Sequence, residues 1–193
     1  MGTNGRHQTV PDLPRDFYEQ IKDDLRERIA RELHSARRIL EMGCGACALA
    51  RFLGERYGHC VTGVDIADGN FPDESGLVEG IECRKADAGH LDFIPNGAFD
   101  AMVSVYALHE MGNPLEMLTE AHRVLRTGGE VLLVDFPRDS LAQELWNEDY
   151  YTVREVAELL QEAGFPDVDV TVIARGQLMW ARAFKPPRQG DAS

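Results

Sequence analysis

A short stretch early in the chain places one carboxylate beside two closely spaced glycines. Glu41 ends an apolar segment, and Gly43 and Gly45 follow it directly. Glycine lets the backbone turn tightly and lets a ligand approach where a Cβ would clash. A helix that starts near Cys47 would present unpaired N–H groups to such a ligand. The spacing therefore predicts a nucleotide-binding turn.

Two kinds of ligand fit a turn of this sort. Gly43, Gly45 and Ala48 satisfy the dinucleotide pattern G-x-G-x-x-G/A, and Asp65 stands at about the expected ~20-residue distance. Glu41 separates the two ligands, because a carboxylate at the strand end repels a pyrophosphate and suits a ligand with an ammonium group. S-adenosylmethionine carries that ammonium and has no phosphate. The residues thus favour the adenosyl ligand over a nicotinamide cofactor.

The segment 41–45, after its apolar strand, resembles motif I of the class I S-adenosylmethionine-dependent methyltransferases. Cys47 departs from that pattern, since the family usually has a third glycine there. The segment 121–135 resembles the family's helix, two-glycine turn and strand. The resemblance covers roughly residues 35–185 and is closest to the small methyltransferases that include the ubiquinone and menaquinone biosynthesis enzymes. It implies methyl transfer from S-adenosylmethionine to a small-molecule acceptor by direct displacement at the sulfonium methyl, with S-adenosylhomocysteine as the product.

The ends of the later strands carry the other cofactor contacts that the resemblance implies. Asp65 ends a predicted strand, where an acid can hydrogen-bond both ribose hydroxyls, and Ile66 would lie against the adenine. Asp87 resembles the family's acceptor for the exocyclic amine of adenine. The complete set of predicted cofactor-binding residues is Glu41, Gly43, Cys44, Gly45, Asp65, Ile66, Asp87, Ala88, Ser104, Val105 and Tyr106.

The predicted catalytic residues are His109 and Glu110, which follow the fourth strand. A base is needed only where the acceptor carries a proton at the moment of attack, and histidine is the commonest base. His109 can equally contact the cofactor or cap a backbone group, with Glu110 orienting its imidazole or pointing to solvent. Asp135 and Tyr106 are lesser candidates for the base.

The alternation of strands and helices predicts an α/β chain with a three-layer Rossmann-like methyltransferase fold. We expect a mostly parallel seven-stranded sheet with a C-terminal antiparallel hairpin. A nicotinamide-dependent oxidoreductase is the alternative. The hairpin argues against it, because such a hairpin is typical of the methyltransferase sheet. The predicted strands are 38–42, 60–65, 81–85, 99–105, 130–135, 168–174 and 177–184, with a helix ended by the segment 127–129 before the fifth strand.

Domain boundaries follow from the same pattern. We expect a disordered tail over 1–12, an N-terminal helix over 13–34 that covers the cofactor site, the methyltransferase domain over 35–185, and a flexible tail over 186–193. Within the N-terminal helix, Phe17 and Tyr18 are expected mainly as core aromatics, with the cofactor pocket as the alternative. Three further aromatics form an acceptor wall, a piece of the core or a dimer contact: Trp146, Tyr150 and Tyr151.

Composition limits the partners. The formal net charge of −13 disfavours nucleic acid and anionic membranes, because phosphate backbones are bound mainly by lysine and arginine. No run of ~18 apolar residues is present, and a cytoplasmic protein that acts on a small molecule is expected, with a homodimer left open. A second hypothesis is a cofactor-binding protein or partner subunit without its own chemistry.

Four cysteines stand at positions 44, 47, 60 and 83. Cys44 and Cys47 form a C-x-x-C pattern that can be redox-active or half of a zinc site. The glycine turn already accounts for their position, and Cys60 and Cys83 fall in strands that are expected to be buried. We therefore predict that Cys44 and Cys47 are free thiols and that no metal is bound.

Overall fold

The computed structural model describes residues 13–73 and 78–187. Within these residues, seven strands form one sheet in the order β3-β2-β1-β4-β5-β7-β6. The pairs among β1 to β5 are parallel, while β7 runs antiparallel to both β5 and β6. The predicted α/β fold with a C-terminal antiparallel hairpin is confirmed. The strands are β1 Arg38–Met42, β2 Cys60–Asp65, β3 Ile81–Lys85, β4 Phe99–Val105, β5 Leu125–Asp135, β6 Val168–Ile173 and β7 Leu178–Phe184.

Helices cover both faces of the sheet, and each face has its own apolar core. One core includes residues of α1, α2 and α4, and the other includes residues of α3 and α5. Alternate side chains of a strand point to opposite faces, so Ile39 enters the first core and Leu40 the second. The helices are α1 Phe17–Glu32, α2 Ala48–Tyr57, α3 Pro114–Val124, α4 Leu141–Trp146 and α5 Val153–Glu162.

Side-chain caps mark the starts of α3 and α5. The Asn113 side chain accepts a hydrogen bond from the Glu116 backbone N–H, with Pro114 in the first turn of α3. Thr152 and Glu155, three residues apart, form a capping box at the start of α5. These local signals determine where α3 and α5 begin.

The order of the strands creates a crevice at one edge of the sheet. The chain builds outward from β1 through β2 and β3, then returns to place β4 on the other side of β1. Helices that follow β1 and β4 leave this point on opposite faces, which opens a space beyond the carboxyl ends of these strands. Glu41, Asp65 and Val105 all lie at such ends.

Several boundaries differ from the prediction. The third long helix ends at Val124, and β5 begins at once with Leu125 rather than after the glycines of 127–129. The early part of β5 pairs irregularly with β4, because the register shifts between Phe99 and Ala101. Strands β6 and β7 are joined by a short 3₁₀ turn over Ala174–Gly176. The predicted tail at 1–12 lies outside the described residues, and so do residues 188–193 of the predicted tail at 186–193.

The prediction of two free thiols is wrong for Cys47, which forms a disulfide with Cys83. Gly63 of β2 lies opposite Cys83 of β3, and a Cβ added to Gly63 would come within 2.9 Å of Cys44 Sγ and 3.5 Å of Cys47 Sγ. The missing side chain leaves room for the sulfur atoms above β2. Cys44 is free and buried, whereas Cys60 is exposed, against expectation.

No helix in the described part of the chain is long and apolar enough to cross a membrane.

Candidate active site

A cavity of about 790 Å³ lies at the carboxyl ends of the strands, between the sheet and α1. Eleven predicted site residues line it, among them Glu110. Two predicted residues, Ser104 and His109, are not among the described residues that line the cavity. The predicted residues that it brings together are Glu41, Gly43, Cys44, Gly45, Asp65, Ile66, Asp87, Ala88, Val105, Tyr106 and Glu110.

The glycine turn forms the floor of the cavity. Gly43 and Gly45 have φ values of 75° and 51°, in the left-handed region that glycine adopts without strain. A Cβ on Gly43 would lie only 2.4 Å from the Ala107 Cβ. The backbone N–H of Gly45 donates a hydrogen bond to Asp65 Oδ2 at 2.8 Å, which ties the turn after β1 to the end of β2.

Glu41 places a carboxyl group in an almost dry position beside this turn. It is 4% exposed, and its Oε2 atom has no hydrogen-bond partner among the described residues. Burial raises the pKa of Glu41 to about 8, although the positive charge of Arg26 acts in the opposite direction. A buried carboxyl oxygen without a partner is costly, so the position suits a ligand that brings a cation or a donor.

The ends of β2 and β3 supply the second part of the cavity. Asp65 also accepts a hydrogen bond from the Ala67 N–H at 3.0 Å, and Asp87 accepts one from the Gly89 N–H at 2.9 Å. These bonds fix both carboxylates at the cavity wall. Ile66 is 72% exposed, which leaves a large apolar surface between them uncovered by protein. The arrangement can receive a flat, weakly polar ring flanked by polar groups.

Aromatic side chains form the opposite end of the cavity. The Tyr106 ring stacks on Phe136 with centroids 4.4 Å apart, and Tyr18 and Trp146 lie 4.9 and 5.2 Å from Phe136. Tyr106 has a left-handed backbone with φ 58°, and its buried hydroxyl has no partner among the described residues. Burial raises the pKa of the Tyr106 phenol, so the hydroxyl stays protonated and can donate. We refer to Tyr18, Tyr106, Phe136 and Trp146 as the aromatic wall.

His109 lies behind this wall in a network of carboxylates. Its Nδ1 donates to Asp135 Oδ1 at 2.8 Å and its backbone N–H donates to Asp135 Oδ2 at 3.0 Å. Its Nε2 faces Glu148 Oε2 at 3.2 Å and Glu110 Oε1 at 3.9 Å. Burial lowers the pKa of His109, but the hydrogen bond to Asp135 and the neighbouring negative charges outweigh it and raise the pKa above its usual value. The network connects the segments after β4 and β5 to the residues before α5.

The chain matches the family model for the methyltransferase domain over residues 40–133. A phosphatidylethanolamine N-methyltransferase of Cereibacter sphaeroides is 32% identical over 133 residues, which cover 64% of this chain and 64% of that protein. A demethylmenaquinone methyltransferase of Tropheryma whipplei (strain Twist) is 28% identical over 181 residues, covering 77% of this chain and 74% of that protein. These similarities support the predicted resemblance to the class I S-adenosylmethionine-dependent methyltransferases.

One solved structure with the same fold is named as a cyclase rather than a methyltransferase. The cyclase SpnF aligns with a TM-score of 0.72 at 19% identity, over 88% of this chain and 83% of that one. At this identity the likeness concerns the fold.

Part of this methyltransferase cavity carries no sequence motif. Helix α1 contributes Lys22, Leu25 and Arg26 to the lining. Phe136, the residue after β5, also lines the cavity. Their positions depend on packing between segments that are far apart in sequence. Apolar residues recur at every fourth position from Phe17 to Leu33, which locates the helix without saying which residues reach the cavity.

The predicted aromatics divide between core and cavity. Tyr18 is buried and also lines the cavity, whereas Phe17 is buried without lining it. Trp146 lines the cavity and Tyr150 is buried, so the acceptor wall stays a prediction for Trp146. Ser104 lies within β4 with its hydroxyl buried and without a described partner.

Proposed function

We propose that this methyltransferase binds S-adenosylmethionine in the cavity and transfers its methyl group to a small-molecule acceptor. The observation that carries the proposal is the buried, unpartnered oxygen of Glu41 beside the glycine turn. The ammonium group of the cofactor would supply the missing donor and the positive charge. A pyrophosphate at the same place would bring neither a donor nor a positive charge, and it would oppose ionisation of the carboxyl group.

The remaining cofactor contacts follow the order of the strand ends. Asp65 would accept hydrogen bonds from the ribose hydroxyls, and Asp87 would accept one from the adenine amine. Ile66 and Ala88 would pack against the adenine ring. The backbone around Val105 and Tyr106 would then flank the sulfonium group, at the boundary between the cofactor and the aromatic wall. For Cys44 and Ser104 the predicted cofactor contacts stay predictions.

The acceptor would lie against the aromatic wall. This wall offers broad apolar surfaces, and the buried Tyr106 hydroxyl has no partner among the described residues. Such a lining suits a largely apolar acceptor that carries one hydrogen-bond acceptor near the reacting atom. Methyl transfer depends mainly on alignment of the nucleophile, methyl carbon and sulfur, with water excluded, and rigid aromatic surfaces favour that alignment.

His109 and Glu110 would form the polar end of the acceptor site. Glu110 lines the cavity, whereas His109 reaches it only through the network with Glu110 and Glu148. We therefore assign contact with the acceptor to Glu110 and the positioning of the polar groups to His109. Direct proton transfer to His109 stays a prediction.

Calorimetry with matched ligands tests the proposal. The protein should bind S-adenosylmethionine and S-adenosylhomocysteine and should not prefer NAD over them. Glu41→Gln keeps the size of the side chain and removes its charge, so it should weaken S-adenosylhomocysteine binding by about tenfold or more. Binding of methylthioadenosine, which lacks the amino-acid group, should hardly change in the same variant. Equal losses for both ligands would refute the assigned role of Glu41, and preference for NAD would refute the proposal.

A second candidate function is cofactor binding without methyl transfer. The likeness to the cyclase SpnF motivates it, because its name describes a reaction other than methylation. The two candidates differ in one measurable product: methyl transfer forms one S-adenosylhomocysteine per turnover, whereas a cofactor that only supports another reaction is recovered intact.

The predicted cytoplasmic location, homodimer and lack of nucleic-acid binding stay predictions. Cell fractionation, sedimentation and a filter-binding assay with duplex DNA test them in turn.

A further inference from the structure

One cluster of side chains has the composition of a metal site. His109 Nε2 and one carboxylate oxygen each from Glu110 and Glu148 all lie within 4.8 Å of one another. Imidazole nitrogen and carboxylate oxygen are the donors that zinc and manganese accept in proteins. The donors come from two segments that are distant in sequence, the turn after β4 and the segment before α5.

One separation within the cluster already fits a shared ion. Ligand atoms that lie ~2.1 Å from one metal ion are about 3.0–3.4 Å from each other in octahedral or tetrahedral geometry. The Nε2 to Glu148 Oε2 distance is 3.2 Å. The Glu110 oxygen is farther from Nε2, at 3.9 Å, so it has to move closer to share an ion, and its side chain is 70% exposed.

A buried carboxylate orients the imidazole from behind. Asp135 is 2% exposed and accepts hydrogen bonds from His109 Nδ1 and from the Phe136 backbone N–H, both at 2.8 Å. With the proton on Nδ1, the lone pair of Nε2 points toward the two glutamates. This carboxylate–histidine arrangement is the usual support of a metal-bound histidine. Glu148 is held in turn by the hydroxyl of the buried Tyr150, which donates to its Oε2 at 3.1 Å.

The negative charges of Glu110 and Glu148 are not paired with a lysine or arginine among the described residues. The basic side chain that both face is His109. A neutral imidazole directs a lone pair against carboxylate oxygens, which is unfavourable unless a positive species lies between them. A proton on Nε2 or a divalent cation satisfies that requirement.

We propose that His109, Glu110 and Glu148 bind one divalent cation of the zinc or manganese class, supported by Asp135. Three protein ligands leave coordination positions for water or for an oxygen or nitrogen of a bound molecule. Because Glu110 lines the cavity, those positions face its acceptor end. A cation there would hold and polarise a hydroxyl of the acceptor. The metal site itself does not depend on the proposed methyl transfer.

Titration of the metal into the full-length, chelator-treated protein tests the proposal without cofactor or acceptor. We expect one Mn²⁺ or Zn²⁺ per chain by calorimetry. His109→Ala and Glu148→Gln should each weaken binding by ~10-fold or more, and Asp135→Asn by ~10–100-fold, the usual effect of losing a supporting carboxylate. His34→Ala is the matched control, because His34 is an exposed histidine outside the cluster, and its Nδ1 lies 2.9 Å from the Arg31 carbonyl oxygen. The His34→Ala variant should bind the metal with the same affinity as the wild type.

Pulsed EPR of the Mn²⁺ complex adds a direct readout, since coupling to an imidazole nitrogen should be present in the wild type and lost in His109→Ala. Circular dichroism checks that each variant is folded. If Asp135→Asn does not fold, Glu148→Gln still tests the metal site. Absence of stoichiometric binding, or binding that His109→Ala and Glu148→Gln leave unchanged, would overturn the proposal. Calorimetry with S-adenosylhomocysteine tests the proposed function separately, so the metal site and the proposed function can each be refuted alone.

Discussion

The two ends of the cavity are built in different ways. At the cofactor end, Gly45 and Asp65 are joined by a hydrogen bond between two strand ends, and the lining residues follow the strands in order. At the proposed acceptor end, Tyr18 of α1, Phe136 after β5 and Trp146 of α4 meet through ring contacts. The cofactor end therefore depends on backbone geometry, and the acceptor end on side-chain packing. Side chains at the acceptor end can change without altering the cofactor turn.

The largest expected effect is at Gly43. Gly43→Ala places a Cβ 2.4 Å from the Ala107 Cβ at a φ of 75°, so the turn has to move. We expect a loss of about 3 kcal/mol in the free energy of unfolding and no measurable binding of S-adenosylhomocysteine. Denaturant unfolding and calorimetry measure the two effects. Gly69→Ala is the control, because a Cβ there meets nothing within 4 Å. Normal binding by Gly43→Ala would contradict the dependence on backbone geometry.

The next effect concerns Asp65. Asp65→Ala removes a charged acceptor and should weaken cofactor binding by more than ~1 kcal/mol, because hydrogen bonds to charged groups contribute roughly 1.5–3 kcal/mol. Asp65→Asn keeps an oxygen for the Gly45 N–H and should lose less. Calorimetry gives the affinities and circular dichroism confirms folding. Unchanged affinity in a folded Asp65→Ala variant would make Asp65 a surface acid without a role in binding.

The pKa of Glu41 predicts a pH dependence that belongs to the cofactor end alone. Burial raises this pKa to about 8, so the unliganded protein holds a proton that the unfolded chain loses near its ordinary value of 4.5. The stability contributed by that proton is therefore lost as pH rises from about 4.5 to about 8.

A ligand ammonium favours the ionised carboxylate, so S-adenosylhomocysteine binding should tighten over the upper part of this range. We expect an increase of about tenfold between pH 6.5 and 8, with proton release on binding. Calorimetry in buffers of different ionisation enthalpy counts the protons. In Glu41→Gln both the pH dependence and the proton release should disappear, and their persistence would assign them to another group.

The smallest effect is expected at the acceptor end. Trp146 is 48% exposed and its indole lies 5.2 Å from Phe136, so Trp146→Leu should leave the fold and S-adenosylhomocysteine affinity unchanged. The KM for the acceptor should rise by roughly 2–10-fold, in keeping with the ~0.5–1.5 kcal/mol of an aromatic contact. A loss of cofactor affinity of the same size would show that the two ends are not independent.

The same contrast explains how much of the molecule follows from sequence alone. Glu41, Gly43, Gly45 and Asp65 lie in one local pattern, and the chemistry of their side chains predicts the cofactor end. Strand β4 and the capped helices also have local signals. For these parts of the chain, residue type and spacing are enough to predict where the elements lie.

Other features depend on residues that are far apart in the chain. Cys83 reaches Cys47 only because β3 pairs beside Gly63, and the sequence separation of 36 residues gives no sign of it. The placement of His109 against Asp135 and Glu148 likewise depends on how the segments after β4 and β5 meet. Neither could be derived from periodicity or spacing.

The central claim is methyl transfer, and one measurement addresses it directly. A metabolite extract is incubated with the protein and S-adenosylmethionine that carries an isotopically labelled methyl group, and the mixture is analysed by mass spectrometry. We predict one metabolite that gains the labelled methyl in step with S-adenosylhomocysteine, with both signals absent for Gly43→Ala. A metabolite that is converted without label while S-adenosylmethionine is recovered intact would contradict methyl transfer and establish the second function.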